Sequence, residues 1–385
     1  MELTEEQKEV LRAIEGWRVA KKGQSLTLGG YAGTGKTTVL SWWRKELKEK
    51  EKKIKVSFCA YTGKAARVLK NKLSENSAIY PSDTVGTIHS LIYSPILNKK
   101  EEIIGWKKKE KIEAEMIVVD EASMIDEEIW KALLSYKVPI LAVGDHGQLA
   151  PIKGNFNLME RLDLRLEQIH RQALENPIIE LSIRARKEGF IPIGRYGEGV
   201  EKINKFDPLS GEKVEERLRD FRDEKLIMCG YNQTRVKLNK FIREAREMES
   251  EEPSPGDRVI CLRNNHSKEI YNGMMGTVLS ISSRDEDSYE TEIELDDGGV
   301  YEGLIFKKQF NSSESLNFTD RRIKVRERDL WDFGYAVTVH KAQGSEANEV
   351  VLFEERFPRM SEEEWRRWLY TAVSRARERL LIVGV

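Results

Sequence analysis

Lys36-Thr37-Thr38 closes a glycine-rich run, Gly29-Gly30-Tyr31-Ala32-Gly33-Thr34-Gly35, and residues 30–37 fit the phosphate-loop spacing G-x-x-x-x-G-K-[ST]. Glycines at these intervals let the backbone curl until successive N–H groups point at phosphate oxygens. A helix that begins there adds the positive end of its dipole. Lys36 would then reach the β- and γ-phosphates, and Thr37 would offer its hydroxyl to Mg²⁺. A glycine turn followed by a helix is the plainer alternative. The strand-like run Ser25-Leu26-Thr27-Leu28 ahead of the loop supplies the context the motif requires. A loop of this kind specifies a nucleotide and leaves the reaction open.

A second chemical group ends the apolar run Met116-Ile117-Val118-Val119, which terminates in two acids, Asp120 and Glu121. Side chains alternate along an extended strand, so the two cannot point the same way and must divide the work. Asp120 can hold Mg²⁺, usually through water, while Glu121 polarises an attacking water. Gln148 lies in the glycine-flanked loop Gly144-Asp145-His146-Gly147-Gln148, where a γ-phosphate sensor would stand. A tight turn needing Gly144 and Gly147 explains the same residues. Gln7 has an amide that can donate to and accept from one adenine edge, and a solvated helix glutamine is an equal reading. Arg375 and Arg377 end an otherwise apolar helical run, where they either meet an anion or complement the helix dipole.

The elements that must position these groups alternate between α and β. Leu3, Gln7, Val10, Leu11 and Ile14 recur at helical spacing, with Thr4 as N-cap. A second strand, Ile54 to Cys59, turns into a helix through Thr62 and Lys64, residues that suit a phosphate backbone or an ordinary crossover. Thr87 to Leu91 is short and polar. Tyr93 to Glu115 reads as a hairpin protruding from the sheet, and its basic run Lys107-Lys108-Lys109 is either a solvated edge or a nucleic-acid contact. Leu226 to Cys229 and the helix Gln233 to Glu247, with Arg235, Lys237, Asn239, Lys240 and Arg243, open a second α/β half. That half lacks a phosphate loop and is a candidate to close over the first half's nucleotide. Pro253-Ser254-Pro255-Gly256-Asp257 reads as a linker, after which short strands and Asn272-Gly273 and Asp297-Gly298-Gly299 turns predict a small barrel inserted into the second half. Val350 to Phe353 returns to α/β character, and Leu380 to Val383 is expected to close the sheet.

At 385 residues there is room for two or three domains, which excludes one small domain. Lys+Arg (64) balances Asp+Glu (65), so any nucleic-acid contact must come from local clusters of cations. Cys59, Cys229 and Cys261 are far apart and suggest neither a disulfide framework nor a zinc site, which makes a reducing cytoplasm the expected setting. No apolar stretch reaches spanning length and the N-terminus is acidic, so a soluble, unprocessed protein without membrane contact is expected.

The ordered set 30–37, 87–91, 120–124, 144–152, 168–172, 336–346 and 369–377 resembles the motif series of superfamily 1B DNA helicases, the 5′-to-3′ branch with Dda-like and RecD-like members. Thr338-Val339-His340-Lys341-Ala342-Gln343-Gly344-Ser345-Glu346 is the most specific element, and the resemblance spans essentially the whole chain. It implies an α/β fold of two RecA-like parallel-sheet domains with a β-hairpin pin insertion and an inserted small SH3-like β-barrel. The implied boundaries are 1–92 with 116–165 for domain 1A, 93–115 for the pin, 166–252 with 331–385 for domain 2A, and 253–330 for the barrel. The implied activity is an ATP-dependent, 5′-to-3′ single-stranded DNA translocase and helicase that acts as a monomer on single strands and single-strand/duplex junctions. An ATP-switched nucleic-acid remodelling factor without unwinding activity is the alternative; a metabolic phosphotransferase would need an acceptor pocket.

Carried over by position, Gln7, Gly30, Gly33, Gly35, Lys36, Thr37, Thr38, Gly344 and Glu346 resemble the ATP-binding set, and Thr37 and Asp120 the Mg²⁺ ligands. Lys36, Glu121, Gln148, Arg171 and Arg375 resemble the catalytic set, with Glu121 as base and the two arginines as fingers offered by the second domain. Thr62, Lys64, His89, Trp106, Asn232, Thr338 and His340 match positions along the DNA strand. Two departures stand out: His146 and Ala150 occur where relatives often have proline, and the pin is short.

Overall fold

Strand β1 (Ser25–Gly30), which leads into the glycine run, is the fifth of six in a parallel sheet. The structure is a computed structural model, and it describes residues 3–97, 103–150, 156–169, 175–248, 250–265, 268, 270–296, 298–314, 316 and 328–385, without the side chains of 95, 97 and 103–106. The chain forms two compact units, Met1–Ser94 with Lys107–Arg186 and Pro95–Trp106 with Lys187–Val385. The first unit includes the short strand Leu164–Leu166, which pairs with β1, and Arg186, which lies on the Tyr31 ring.

In the first unit, α1 (Glu5–Ala20) precedes β1, and α2 (Lys36–Lys50), β2 (Val56–Ala60), α3 (Gly63–Glu75), β3 (Thr84–Thr87) and α4 (Ile88–Ile92) follow. A two-stranded sheet comes next in the chain, β4 (Tyr93–Leu97) with β5 (Ile103–Lys108), most of it counted with the second unit, and the first unit resumes with β6 (Met116–Val119), α5 (Glu127–Leu134), β7 (Ile140–Gly144), β8 (Leu164–Leu166) and α6 (Pro177–Glu188). The sheet order is β3-β2-β6-β7-β1-β8. Its central strands are buried on both faces, as expected where helices cover a parallel sheet. Alternation separates two cores. Met116, Val118, Leu141 and Val143 pack with α1 and α2, whereas Ile117, Val119, Ile140 and Ala142 pack with Ile129, Trp130 and Leu133 of α5.

Thr4 caps α1 in a reciprocal box with Gln7. Helix α2 is anchored by Arg44, whose guanidinium grips Asp83 through two bonds of 3.0 and 2.7 Å, both side chains being 0% exposed.

In the second unit, β9 (Gly194–Gly197), β10 (Val200–Asn204), α7 (Pro208–Arg219), β11 (Lys225–Cys229) and α8 (Asn232–Ala245) lead into β12 (Arg258–Cys261), β13 (Met275–Ser283), β14 (Ser288–Leu295), β15 (Val300–Phe306) and β16 (Trp331–Phe333). Then β17 (Ala336–Thr338), β18 (Ala347–Phe353), α9 (Glu362–Val373) and β19 (Ala376–Gly384) return to the first sheet of that unit. Its order is β17-β11-β18-β19-β10-β9, parallel except for the β9–β10 edge. Strand β19 therefore lies inside the sheet, and the β9–β10 hairpin closes it instead.

Strands β12 to β16 form an antiparallel sheet in the order β15-β14-β13-β12-β16. A bridge from Ile305 to Asp329 ties its β15 edge to the segment before β16, curling the sheet around Val259, Val278, Ile293 and Trp331. The stretch read as a linker is rigidly bonded: Asp257, 0% exposed, accepts from Arg243 at 2.8 and 3.0 Å and from the Tyr335 hydroxyl at 2.8 Å. Two other polar residues of α8 do similar work. Arg235 pairs with Asp332 at 2.7 Å, and Asn239 bonds Phe333 O and Ala336 N. These side chains tie the insertion to the sheet.

Candidate nucleotide site and its nucleic-acid edge

The carboxyl ends of β6, β7 and β1 are neighbours, with Val119 beside Ala142, and Gly29 beside Gly144. This brings the phosphate loop, Asp120-Glu121 and Gln148 to one edge of one sheet, the place where open parallel sheets bind ligands. Gly33 and Gly35 both have φ 79°, a left-handed conformation that glycine adopts freely. Gly35 caps α2 without any side-chain bond, leaving the helix's first N–H groups to a ligand. A Cβ on Gly30 would lie 2.7 Å from Thr34 Oγ1, so the curl needs glycine there too. Lys36 Nζ donates to the carbonyls of Gly30 and Tyr31 at 2.7 and 3.0 Å, folded over its own loop. Thr37 and Thr38 occupy the first turn of α2. The donor set of open N–H groups, a lysine and a hydroxyl fits a nucleotide phosphate.

Gln7 is not the solvated helix glutamine of the second reading. It is 1% exposed, its Oε1 accepts from Thr4 N at 3.1 Å, and its Nε2 donates to Thr34 O at 3.1 Å. It braces the phosphate loop from behind.

Asp120 leaves β6 with its N–H on Cys59 O at 2.8 Å, and its Oδ1 accepts from Glu121 N at 3.0 Å. Glu121 adopts φ 52°, ψ 40°, a left-handed conformation that costs a non-glycine residue about 1–3 kcal/mol. That turn is how two successive acids leave the strand in different directions. Gly144 lets the turn after Glu121 come close, since a Cβ there would meet Ser123 N at 3.0 Å and Met159 Sδ at 2.7 Å. Gln148 is buried, and its Nε2 bonds Asp145 at 3.4 Å. Its Oε1 has no hydrogen-bond partner among the described residues.

Thr62 and His89 follow adjacent strands β2 and β3 on the same edge, Ala60 standing beside Thr87. Thr62 caps α3 through Ala65 N at 3.1 Å, and His89 is buried among the rings of Tyr61 and Tyr93. Lys64 lies in the first turn of α3. The basic run at the hairpin base is partly tied down: Lys108 Nζ bonds Ser135 Oγ at 2.6 Å, and Lys109 Nζ bonds Ser90 O at 2.7 Å. Trp106 is on β5, with its side chain outside the described residues, and Arg171 lies outside them altogether.

In the second unit, Thr338 ends β17 beside Cys229 of β11, so His340 and the exposed Asn232 share that sheet's carboxyl edge. Burial holds the His340 pKa below its usual value. Arg375 is 2% exposed and bonds Thr371 O at 3.1 Å and Ser345 O at 3.2 Å, with no carboxylate partner among the described residues. It bonds one carbonyl of the last helical turn and one from the turn before β18, whereas Arg377 pairs with Glu346 at 2.8 Å. Gly344 takes φ 74° in the turn before β18. Among the described residues no helix is long and apolar enough to cross a membrane.

Four residues escaped the sequence reading. Tyr31 carries Arg186 at 3.5 Å from its ring centroid and His146 at 4.1 Å, and Glu355 fills the start of α8. For His146 the signal was present, as a histidine in a position where relatives often carry proline.

Residues 2–202, just over half of the chain, match the AAA domain family, and residues 333–383 match the UvrD-like helicase C-terminal domain. The ATP-dependent RecD2 DNA helicase of Deinococcus radiodurans is 29% identical over 99% of this chain and 49% of its own length. The RecBCD enzyme subunit RecD of Buchnera aphidicola is 24% identical over 92% of this chain and 69% of its own. The chain thus spans about half the length of the first of these relatives. A Pif1 helicase from Bacteroides, solved in complex with ADP-AlF3 and ssDNA, shares the fold at 18% identity with a TM-score of 0.52, covering 99% of this chain and 92% of that one. Phosphate loop, paired acids and the match over residues 2–202 carry one conclusion: the chain belongs to the AAA domain family.

Proposed function

We propose that the chain is an ATP-hydrolysing DNA helicase that translocates 5′-to-3′ along single-stranded DNA and separates strands at duplex junctions. One observation carries the reading: the phosphate loop, Asp120-Glu121 and Gln148 meet at the carboxyl edge of the first unit's sheet, with Thr62 and His89 further along that edge. In this mechanism Lys36 leaves its loop carbonyls to bind the β- and γ-phosphates. Glu121 takes a proton from the attacking water, and Gln148 turns its free Oε1 toward that water. Thr37 and Asp120 would hold Mg²⁺, which neutralises phosphate charge when bound. Arg171 and Arg375, from outside the loop, would meet the charge that develops on the transferred phosphoryl group.

We assign 1–92 with 116–165 to domain 1A, 166–252 with 331–385 to domain 2A, the hairpin to a strand-splitting pin and the curled sheet to an SH3-like 2B module. Thr62, Lys64, His89, Trp106, Asn232, Thr338 and His340 would line the DNA path of a cytoplasmic, monomeric motor.

The test is ATP turnover with and without single-stranded DNA, followed by strand displacement on 5′-tailed and 3′-tailed duplexes. DNA-stimulated turnover and displacement of the 5′-tailed substrate are expected. Turnover indifferent to DNA would overturn the motor, displacement of only the 3′-tailed substrate would overturn the polarity, and stimulation without displacement would leave an ATP-switched remodeller.

A further inference from the structure

Lys36 is not the only cation held at the phosphate loop. Tyr31, the first residue between Gly30 and Gly35, has a ring that Arg186 of α6 covers at 3.5 Å, close enough for the guanidinium to lie against it. The same ring meets His146 of the loop after β7 at 4.1 Å with a 43° tilt. A Cβ on Gly29 would lie 2.9 Å from His146 Nδ1, so the imidazole sits against the backbone at the end of β1. The Tyr31 carbonyl below accepts from Lys36 Nζ at 3.0 Å and from Thr34 Oγ1 at 2.9 Å. Ring and carbonyl of one residue therefore join two side chains from distant elements to the lysine that takes the phosphates.

Both partners have buried polar atoms to satisfy. Arg186 Nε and both ring nitrogens of His146 lack hydrogen-bond partners among the described residues. Leaving such groups unsatisfied is unfavourable, and a buried polar atom without a partner at a ligand site points to the ligand. Arg186 also makes no ion pair among the described residues.

We propose that Tyr31, Arg186 and His146 form a triphosphate-sensing contact set, in which the Tyr31 ring holds the guanidinium and imidazole ready to bond the terminal phosphate of a nucleoside triphosphate. This rests on the ATP reading above and adds specificity to it: the set discriminates triphosphate from diphosphate. Burial, first, and then Arg165 and Lys36 hold the His146 pKa low, while Asp145 and Glu167 act in the opposite sense. With Lys36 drawn to phosphate and an anion added nearby, the charged imidazole is favoured. Triphosphate binding should therefore take up a proton at His146 and strengthen as pH falls through the ordinary histidine range.

The experiment is calorimetric titration of the full chain with Mg²⁺ and either ADP or the non-hydrolysable triphosphate AMP-PNP, across that pH range. Arg186→Ala should weaken AMP-PNP by roughly tenfold, the scale of one charge-assisted hydrogen bond, and ADP hardly at all. Arg186→Lys, which keeps the charge but loses the flat stack, should fall between. Tyr31→Ala should reproduce the loss and Tyr31→Phe should not, and His146→Phe should flatten the pH dependence of AMP-PNP binding. Unchanged preference for AMP-PNP over ADP in both Arg186→Ala and Tyr31→Ala, with wild type binding both nucleotides, would overturn the inference and leave the ATP reading standing. Wild type binding neither nucleotide would overturn both.

Discussion

Helices α2 and α8 follow strands at the carboxyl edges of two parallel sheets, and they are anchored alike and begin differently. Each is clamped by a buried arginine–aspartate pair, Arg44–Asp83 on α2 and Arg243–Asp257 on α8. Each starts on a residue, Gly35 or Tyr231, that provides no side-chain cap. At α2 the start is left open inside a glycine loop. At α8 the Glu355 carboxylate fills it, with Oε2 accepting from Gly230 N at 2.8 Å and Tyr231 N at 2.9 Å, and Oε1 from the Thr234 hydroxyl at 2.5 Å. Any helix start attracts an anion. Whether it serves a ligand depends on whether the chain supplies that anion itself, and Glu355 brings a carboxylate to the start of α8 where no side chain does so at α2.

The proposed finger role of Arg375 gives the comparison its sharpest test, Arg375→Ala. Loss of an arginine finger lowers turnover by roughly 10³ to 10⁵, so DNA-stimulated ATP hydrolysis should nearly vanish while single-stranded DNA binding, followed by fluorescence anisotropy, stays close to wild type. Near-normal turnover would leave Arg375 as the helix-end fastener seen in its bonds to Thr371 and Ser345. The next largest effect concerns the shared anchors. Removing one partner of a buried pair leaves an uncompensated charge, so Asp83→Ala and Asp257→Ala should each cost about 3–5 kcal/mol in urea unfolding. A loss under about 1 kcal/mol at either site would mean that the two helices are not held in the same way.

Much of this was legible in the sequence because it depends on local pattern. Strands buried on both faces announce themselves as unbroken apolar runs, and Asp120 and Gln148 each follow one. The curled sheet after residue 257 was visible through its turn residues, Asn272-Gly273 among them. What stayed hidden depends on pairing between distant segments. Asp257 looked like part of a flexible linker because nothing local reveals that Arg243 and Tyr335 converge on it. The sequence could not tell whether Gln7 was a surface residue, and only the fold shows it buried with Thr34 O opposite its amide. Arg186 had no signal of its own, since a stack on Tyr31 leaves no period or motif in either segment.

The smallest predicted effect bears most directly on the difference between the two helix starts. Glu355→Ala removes a carboxylate that satisfies two backbone N–H groups and one hydroxyl, and should destabilise the second unit by about 1–3 kcal/mol. Glu355→Gln, which retains an acceptor but not the charge, should cost less. If the carboxylate is what keeps other anions away, the alanine variant should regain stability in sulfate, measured as a rise in unfolding midpoint beyond the rise that wild type shows at the same concentration. An equal response in both proteins would mean that the start of α8 never becomes an anion site. Its closure would then lie in the loop backbone, where a Cβ on Gly230 would already meet Glu355 O at 2.9 Å, and not in the charge of Glu355.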